Sequence, residues 1–262
     1  MLIVADNLQI MNPAVARALV VRDPAPLGDL ARRCEERGAQ ALDLNPGPTP
    51  KTGGERMSFL VEAVQAATRL PLVLDTADPA VMAAGLEAAR NPVLINGFSL
   101  EPAKLSAFLP LALRFDAYIV GYLLRPDGRV PEAADDWLSL AVSLFEAAGR
   151  VGLGPERLIV DPVLLPIQWA DGPRRAREVL ETLRLLPELL GFPVRTVAGL
   201  SNLTSGPGPL EKKLRIEQAY LPMLAAAGLD MVLMNVLRPG AIETARAVEA
   251  LLGAGVFAWD AV

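Results

Sequence analysis

Eight short apolar segments recur along the chain, and longer segments with apolar residues at three- and four-residue spacing lie between most of them. The short segments predict strands at residues 2–6, 41–45, 72–76, 93–96, 117–123, 158–162, 196–202 and 231–235. The longer segments predict helices at residues 55–68, 79–89, 132–151, 176–190 and 210–227. This alternation of strand and helix constrains the fold more than any other feature of the sequence.

The alternation predicts an α/β protein, a single (β/α)8 TIM barrel. The predicted strands are continuously apolar, which is typical of a parallel sheet covered by helices on its outer side. A doubly wound open sheet built from the same elements is the alternative. No linker or low-complexity segment divides the 262 residues, so we expect one barrel domain over residues 1–262.

The chain contains no histidine and one cysteine. These counts exclude a histidine general base, a Ser-His-Asp triad, a disulfide framework and a cysteine-rich metal site. The formal net charge is −5 and no basic patch is visible, so we expect no nucleic-acid partner. The sequence has neither a bilayer-length apolar run nor the features of a signal peptide, which predicts a cytoplasmic protein that does not bind membranes.

Polar side chains end nearly every predicted strand. In a parallel barrel these strand ends meet on one face, where active sites of such proteins lie. Carboxylates and carboxamides suit the donor and acceptor edge of a flat heterocycle such as a pterin or guanine, whereas phosphate is disfavoured. A magnesium site built from carboxylates, and simple capping of the following turns and helices, are the alternatives. The residues are Asp6, Asp43, Asn45, Asp75, Asn96, Asp161, Asn202 and Asn235.

Three loops rich in glycine and proline follow predicted strands, at residues 45–50, 125–131 and 205–209. Such segments are usually plain connections. Because they lie at the expected functional face, we interpret one or two of them as walls or lids of the pocket.

Five segments, ALDLNPGP, LVLDT, VLIN, LIVDP and GLSN, resemble those of the pterin-binding methyltransferase family, in the same order and across most of the chain. The likeness is to the branch that contains methyltetrahydrofolate:corrinoid/iron–sulfur protein methyltransferases and the folate domain of cobalamin-dependent methionine synthases. The family's GERIN-like first strand end reads ADNLQ here, with Asp6 in place of the acid and Gln9 in place of the asparagine.

The resemblance implies a barrel that binds methyltetrahydrofolate at its C-terminal face, and a homodimer. It implies that Asp75, Asn96 and Asp161 form hydrogen bonds to the pterin. It also places Asn202 beside the methyl-bearing nitrogen N5 as the catalytic residue, with Gly199 and Ser201 shaping the same strand end. At the end of the second predicted strand, Asp43 and Asn45 complete the expected substrate-binding set.

The implied reaction moves the N5 methyl group of methyltetrahydrofolate to cobalt(I) of a corrinoid, or transfers a methyl group back to tetrahydrofolate. The cobalamin-binding domain of this enzyme group uses a DxHxxG motif, which this chain lacks because it has no histidine. We therefore expect a separate corrinoid protein to supply the cobalamin and to dock transiently, and we expect no tightly bound metal.

Two other functions remain open. A dihydropteroate synthase shares the barrel and the pterin pocket, but it needs contacts to an anionic leaving group, for which Arg195 before the predicted strand 196–202 is a candidate. A non-catalytic folate-binding subunit would keep the pocket without the transfer, although the presence of Asn202 favours a catalyst.

Overall fold

The computed structural model describes residues 1–48, 52–253 and 259. Eight parallel strands form a closed barrel in which each strand pairs with its neighbours in chain order and β8 pairs with β1. This confirms the predicted (β/α)8 fold and rules out the open sheet. The strands are β1 Leu2–Gln9, β2 Ala41–Asn45, β3 Leu72–Asp75, β4 Val93–Phe98, β5 Tyr118–Tyr122, β6 Leu158–Asp161, β7 Arg195–Gly199 and β8 Met231–Met234.

Helices follow every strand and surround the barrel. Two helices separate β1 from β2, and two separate β7 from β8. None of the helices in the described ranges is both long and apolar enough to cross a membrane. They are α1 Pro13–Val21, α2 Ala25–Arg37, α3 Gly53–Gln65, α4 Pro79–Ala88, α5 Pro102–Arg114, α6 Ala134–Arg150, α7 Gly172–Leu190, α8 Leu200–Leu203, α9 Leu210–Ala226 and α10 Ala241–Leu252.

Two hydrophobic layers hold the fold together. The larger layer lies between the barrel and its helices and includes Leu42, Leu72 and Trp137, which are fully buried. The smaller layer contains one buried residue from each of β1 to β7 and fills the barrel interior. Its members are Val4, Ala41, Val73, Leu94, Val120, Ile159 and Val197.

The seventh predicted strand is too long. The structure ends β7 at Gly199, and residues 200–203 form the short helix α8 instead of continuing the strand to residue 202. The apolar residues Leu200 and Leu203 of α8 are buried. A short apolar segment fits a strand and a buried helix equally well, so the sequence pattern alone predicted a longer strand. The predicted loop 45–50 is described only to residue 48, and its last two residues lie outside the described residues.

Candidate functional site

The polar strand ends lie directly above the interior apolar layer because side chains alternate along a strand. Val73 and Asp75 are two residues apart on β3, and the same spacing separates Ile159 from Asp161 on β6. Each strand therefore contributes an apolar residue to the interior and a polar or small residue to the C-terminal mouth of the barrel. The residues at the mouth are Asp6, Asp43, Asn45, Asp75, Asn96, Tyr122, Asp161, Gly199 and Asn235.

Asn45 and Asp75 form the first polar pair at the mouth. The Nδ2 amide of Asn45 donates to Oδ2 of Asp75 at 2.7 Å, and Oδ1 of Asn45 accepts the backbone N–H of Gly47 at 2.8 Å. The Gly47 contact fixes which end of the Asn45 amide faces Asp75. A cleft of about 450 Å³ opens beside this pair, between the loops that follow β2 and β3.

Asp43 and Asn96 form the second pair. The Nδ2 amide of Asn96 lies 3.5 Å from Oδ1 of Asp43, and both side chains are buried. The pairing of β4 with β5 shifts between Asn96 and Phe98, which is a local bulge in the strand. Bulges of this kind re-aim a side chain, and this one lies at a predicted site residue.

Tyr122 ends β5 at the mouth and was not among the site residues predicted from the sequence. Its hydroxyl donates to Oδ1 of Asn96 at 2.9 Å. Burial, together with the charges of Asp75, Asp161 and Asp43, raises the pKa of Tyr122 well above its usual range, so the phenol keeps its proton. A tyrosine at the end of a strand is commonly a core residue. The sequence pattern around Tyr122 therefore did not predict its contact with Asn96.

Asp161 ends β6 beside Tyr122, with which it is in register. Its Oδ1 accepts the backbone N–H of Val163 at 2.7 Å, and within the described residues its Oδ2 has no hydrogen-bond donor. Val163 has a φ of 62°, an unfavourable conformation for a β-branched residue, in the segment that leaves the mouth. One oxygen of Asp161 therefore shapes the turn, and the other has no donor among the described residues.

The carboxylates of the mouth hold their protons unusually tightly. Burial raises the pKa of Asp75 to about 6 and that of Asp161 to about 7. The pKa of Asp43 is raised well above its usual range by burial and by the neighbouring charges of Asp75 and Asp6. Burial has removed water from these carboxylates. A ligand that donates N–H hydrogen bonds to them would compensate for this lost hydration.

Asp6 joins the first strand to the turn after β7. Ser201 donates its hydroxyl to Oδ2 of Asp6, and burial raises the pKa of Asp6 to about 6 despite this bond. The next residue, Asn7, donates from Nδ2 to Oδ1 of Asn235 at 2.8 Å, which links β1 to the end of β8. The pairing of β1 with β2 shifts between Ala5 and Leu8, so Asp6 and Asn7 lie within an irregular segment of the strand.

Asn202 stands apart from the buried pairs. It lies on α8 and is exposed, and within the described part of the chain its side chain forms no hydrogen bond. A Cβ atom at Gly199 would lie 2.9 Å from Nδ2 of Asn202, so the amide occupies space that only glycine leaves open. The structure thus groups Asp43, Asn45, Asp75 and Asn96, places Asp161 at their edge, and places Gly199, Ser201 and Asn202 at the adjoining turn.

Two arginines bear on whether the mouth binds anions. Arg238, in the segment after β8, donates to both carboxylate oxygens of Glu217, and the hydroxyl of Thr204 donates to one of them. Arg195 is the first residue of β7, at the opposite end of the barrel, where its guanidinium lies 5.0 Å from the ring centroid of Tyr118. The expectation that Arg195 could serve an anion at the mouth is wrong, because it lies at the wrong end of its strand.

In the described ranges, no three histidine, cysteine, aspartate or glutamate side chains are arranged to hold a metal ion. Three strand-end residues also serve the turn role that we considered as an alternative. Asn45, Asp161 and Asn235 each accept the backbone N–H two residues ahead. Turn formation uses the one acceptor atom of each asparagine and one of the two carboxylate oxygens of Asp161, so only Asp161 keeps a second acceptor oxygen.

The chain is similar to proteins of known function over most of its length. The family described as pterin binding enzyme matches residues 14–235. A methylcorrinoid:tetrahydrofolate methyltransferase from Eubacterium limosum is 25% identical over 256 residues, which is 97% of this chain and 92% of that protein. A methionine synthase from Mycobacterium tuberculosis is 24% identical over 83% of this chain, which spans 19% of that longer protein.

Solved structures support the fold. A dihydropteroate synthase from Xanthomonas albilineans, in complex with 7,8-dihydropteroate, superposes with a TM-score of 0.70 at 20% identity, over 97% of this chain and 94% of that chain. A dihydropteroate synthase from Yersinia pestis gives a TM-score of 0.66 at 18% identity, over 95% and 93% of the two chains. At these identities the likeness concerns the barrel architecture alone.

Proposed function

Because this chain belongs to the pterin-binding enzyme family, we propose that it is a methyltransferase acting between methyltetrahydrofolate and the corrinoid of a separate protein. The methyl group moves from N5 to cobalt(I), or in the reverse direction to tetrahydrofolate. The observation that carries the proposal is the set of buried carboxylates at the mouth, in which Asp75 and Asp161 each keep an oxygen without a donor in the described chain. The similarity of this chain to a methylcorrinoid:tetrahydrofolate methyltransferase, over nearly the whole length of both proteins, supports the proposal.

The mouth suits the polar edge of a pterin ring. A carboxylate accepts two parallel hydrogen bonds from adjacent N–H groups, which the aminopyrimidinone edge offers. We assign this role to Asp161 and Asp75, with Asn96 contributing an amide and with Asp43 and Asn45 holding Asn96 and Asp75 in place. Ring N–H donors would replace the hydration that burial removes from these acids.

Asn202 is the proposed catalytic residue. When the C–N bond breaks, its electron pair stays on N5, and that nitrogen gains a proton or a strong hydrogen bond. A carboxamide with no partner in the described chain is free to turn toward N5 and to stabilise the charge that develops there. Gly199 leaves the space for this movement, and Ser201, bonded to Asp6, fixes the turn that carries it.

The corrinoid supplies the reduced cobalt that exchanges the methyl group. We propose that it arrives on a partner protein which docks transiently at the C-terminal face, because the chain has no histidine for the DxHxxG motif. The residues of this chain bind and orient the folate and exclude water around N5. The homodimer stays a prediction, which sedimentation velocity of the purified protein would test.

A dihydropteroate synthase has to hold the pyrophosphate of its substrate. Arg195 is at the far end of β7, and both oxygens of Glu217 already engage Arg238. Arg195 is therefore not placed for a pyrophosphate at the mouth, and the Nη1 group of Arg238 is engaged by a carboxylate of this chain, which favours the methyltransferase.

The test is methyl transfer to chemically reduced cobalamin by the purified protein, followed by the absorbance of the cobalt(I) and methylcobalt forms. We expect slow transfer from methyltetrahydrofolate without any partner protein. Folate binding without transfer would indicate the non-catalytic subunit. Formation of dihydropteroate from the pyrophosphate ester and p-aminobenzoate would indicate the synthase.

A further inference from the structure

Tyr122 lies where the polar contacts of the mouth converge. It is the last residue of β5, so its side chain lies above Val120 of the interior layer and between the ends of β4 and β6. Its hydroxyl reaches Asn96 on one side, and its backbone pairs with Asp161 on the other. The methyl transfer itself assigns no role to this residue.

The Tyr122 hydroxyl decides which way the Asn96 amide faces. The two ends of an amide have nearly the same shape but opposite hydrogen-bonding character. Tyr122 donates to the carbonyl oxygen of Asn96, which turns the NH2 group toward the carboxylate of Asp43. In the reverse orientation the carbonyl oxygen would face that carboxylate, and the two acceptors would repel each other.

The phenol is suited to this task because it remains a donor. Burial, and then the nearby carboxylates of Asp75, Asp161 and Asp43, oppose its ionisation. A phenylalanine would fill nearly the same volume but would remove the donor to the Asn96 carbonyl oxygen, so only the Asp43 contact would then orient the amide. The hydroxyl of a tyrosine at this position therefore orients the Asn96 amide, and the ring supplies the packing that a phenylalanine would also supply.

We propose that Tyr122 is a positioning residue that determines specificity, by holding Asn96 so that its NH2 group selects a ring acceptor flanked by N–H donors. This inference rests on the proposed function, since it concerns the ring that the same mouth binds. A ligand ring that presents carbon in place of that acceptor nitrogen leaves the Asn96 N–H without a partner and is rejected.

The experiment compares Tyr122→Phe with Tyr118→Phe, which removes the same hydroxyl from the other end of β5, where Tyr118 is 39% exposed. Titration calorimetry measures the dissociation constants of methyltetrahydrofolate and of a deaza analogue that lacks the ring acceptor. We expect Tyr122→Phe to weaken methyltetrahydrofolate binding about 5- to 20-fold, to reduce discrimination against the analogue, and to leave kcat within about twofold. Tyr118→Phe should change none of these quantities.

A double-mutant cycle separates positioning from simple packing. In an Asn96→Ala background, the further change Tyr122→Phe should alter the dissociation constant less than about twofold, because the amide is already absent. Equal losses in both backgrounds, or unchanged discrimination in Tyr122→Phe, would overturn the proposal. Should Tyr122→Phe fold poorly, Asn96→Ala alone removes the NH2 group, and retained discrimination in that variant would equally overturn the proposal.

The outcomes also separate this inference from the proposed function. Wild-type protein that binds no folate overturns both. Folate binding with normal discrimination in Tyr122→Phe overturns the role of Tyr122 alone. Folate binding without methyl transfer overturns the proposed reaction. The double-mutant cycle, which measures binding alone, then still tests the role of Tyr122.

Discussion

Gly199 faces the side chain of Asn202 at a distance that leaves no room for a methyl group. Its φ of −83° is accessible to alanine, so Gly199→Ala would displace the flexible amide without straining the backbone. We expect the rate of transfer to fall about 10- to 100-fold, with folate affinity changed less than about threefold. Single-turnover kinetics and calorimetry measure the two effects.

The comparison variant for Gly199→Ala is Asn202→Ala, which removes the amide altogether. It should slow transfer by about 10- to 1,000-fold and likewise spare binding. If affinity and rate fall together in both variants, Asn202 is a binding residue and its assigned role at N5 is wrong.

Asp161 gives a prediction with opposite effects on stability and binding. Burial raises its pKa from 3.8 to about 7, so the folded protein holds this proton more tightly than the unfolded chain does. The ionised carboxylate therefore destabilises the fold increasingly as the pH rises from about 4 through 7. Asp161→Asn removes that charge and keeps an oxygen for the Val163 N–H, so we expect a higher Tm at pH 8 and little change at pH 4.

The same variant should bind methyltetrahydrofolate more weakly by about 1–3 kcal/mol, because an amide cannot accept two ring N–H bonds. Thermal melts at both pH values and calorimetry at pH 8 test this pair of effects. A lower Tm at pH 8 would show that the carboxylate stabilises the empty mouth.

At the scale of elements, the ion pair of Glu217 and Arg238 connects α9 to the segment after β8. The Glu217 side chain is 9% exposed and that of Arg238 is 25% exposed, so removing one partner leaves a poorly hydrated charge. Glu217→Ala should lower the free energy of unfolding by about 3 kcal/mol, measured by urea denaturation. The double variant Glu217→Ala with Arg238→Ala should recover part of the loss, and no recovery would mean that the Thr204 contact or packing accounts for it.

The sequence predicted the elements well where period and composition agree. Helix α4 begins at Pro79 as expected, and its N-cap Asp78 accepts backbone N–H groups of Ala80 and Val81. The predicted end of β7 was wrong because buried apolar residues such as Leu200 and Leu203 are typical of a strand and of a packed helix alike. Helix α2 follows the Asp23–Pro24 helix start and ends at the Gly38 stop that the sequence indicates, whereas no bounds were predicted from the sequence for α1, α5 and α10.

The hydrogen-bond partners within the mouth could not be predicted from the sequence. The residue types at the strand ends indicated a polar site, and the alternation of side chains explains why they converge. Which acid pairs with which amide depends on the irregular pairing near Asp6 and Asn96, and bulges leave no clear signal in a single sequence. Tyr122 was missed because its type and spacing fit a core residue equally well.

At the scale of the whole molecule, the loops after β6 and β7 are joined next to Asn202. The backbone N–H of Ile167 donates to the carbonyl of Leu203, and Gln168 donates to that of Ser205, both at 2.8 Å. Trp169, the next residue, is 53% exposed on this joined rim. A partner that brings its corrinoid to N5 has to approach this rim, and an exposed tryptophan is a common anchor of protein interfaces.

Trp169→Ala should therefore reduce kcat/KM about 10-fold with a corrinoid protein as acceptor and leave transfer to free cobalamin unchanged. Val151→Ala is the matched control, since Val151 is 44% exposed and precedes β6 at the opposite end of the barrel. Equal losses with both acceptors would place Trp169 against the folate instead of the partner.

The pairing of β8 with β1 has a consequence for biosynthesis. Leu2–Ala5 of β1 pairs with Met231–Met234 of β8, and the side chain of Asp6 meets that of Ser201, 195 residues later in the chain. The ribosome must therefore synthesise the β8 segment before the sheet can close, and until then β1 presents an unpaired edge. Stalled nascent chains should therefore remain sensitive to protease until the β8 segment has left the exit tunnel, and protection at shorter lengths would contradict this.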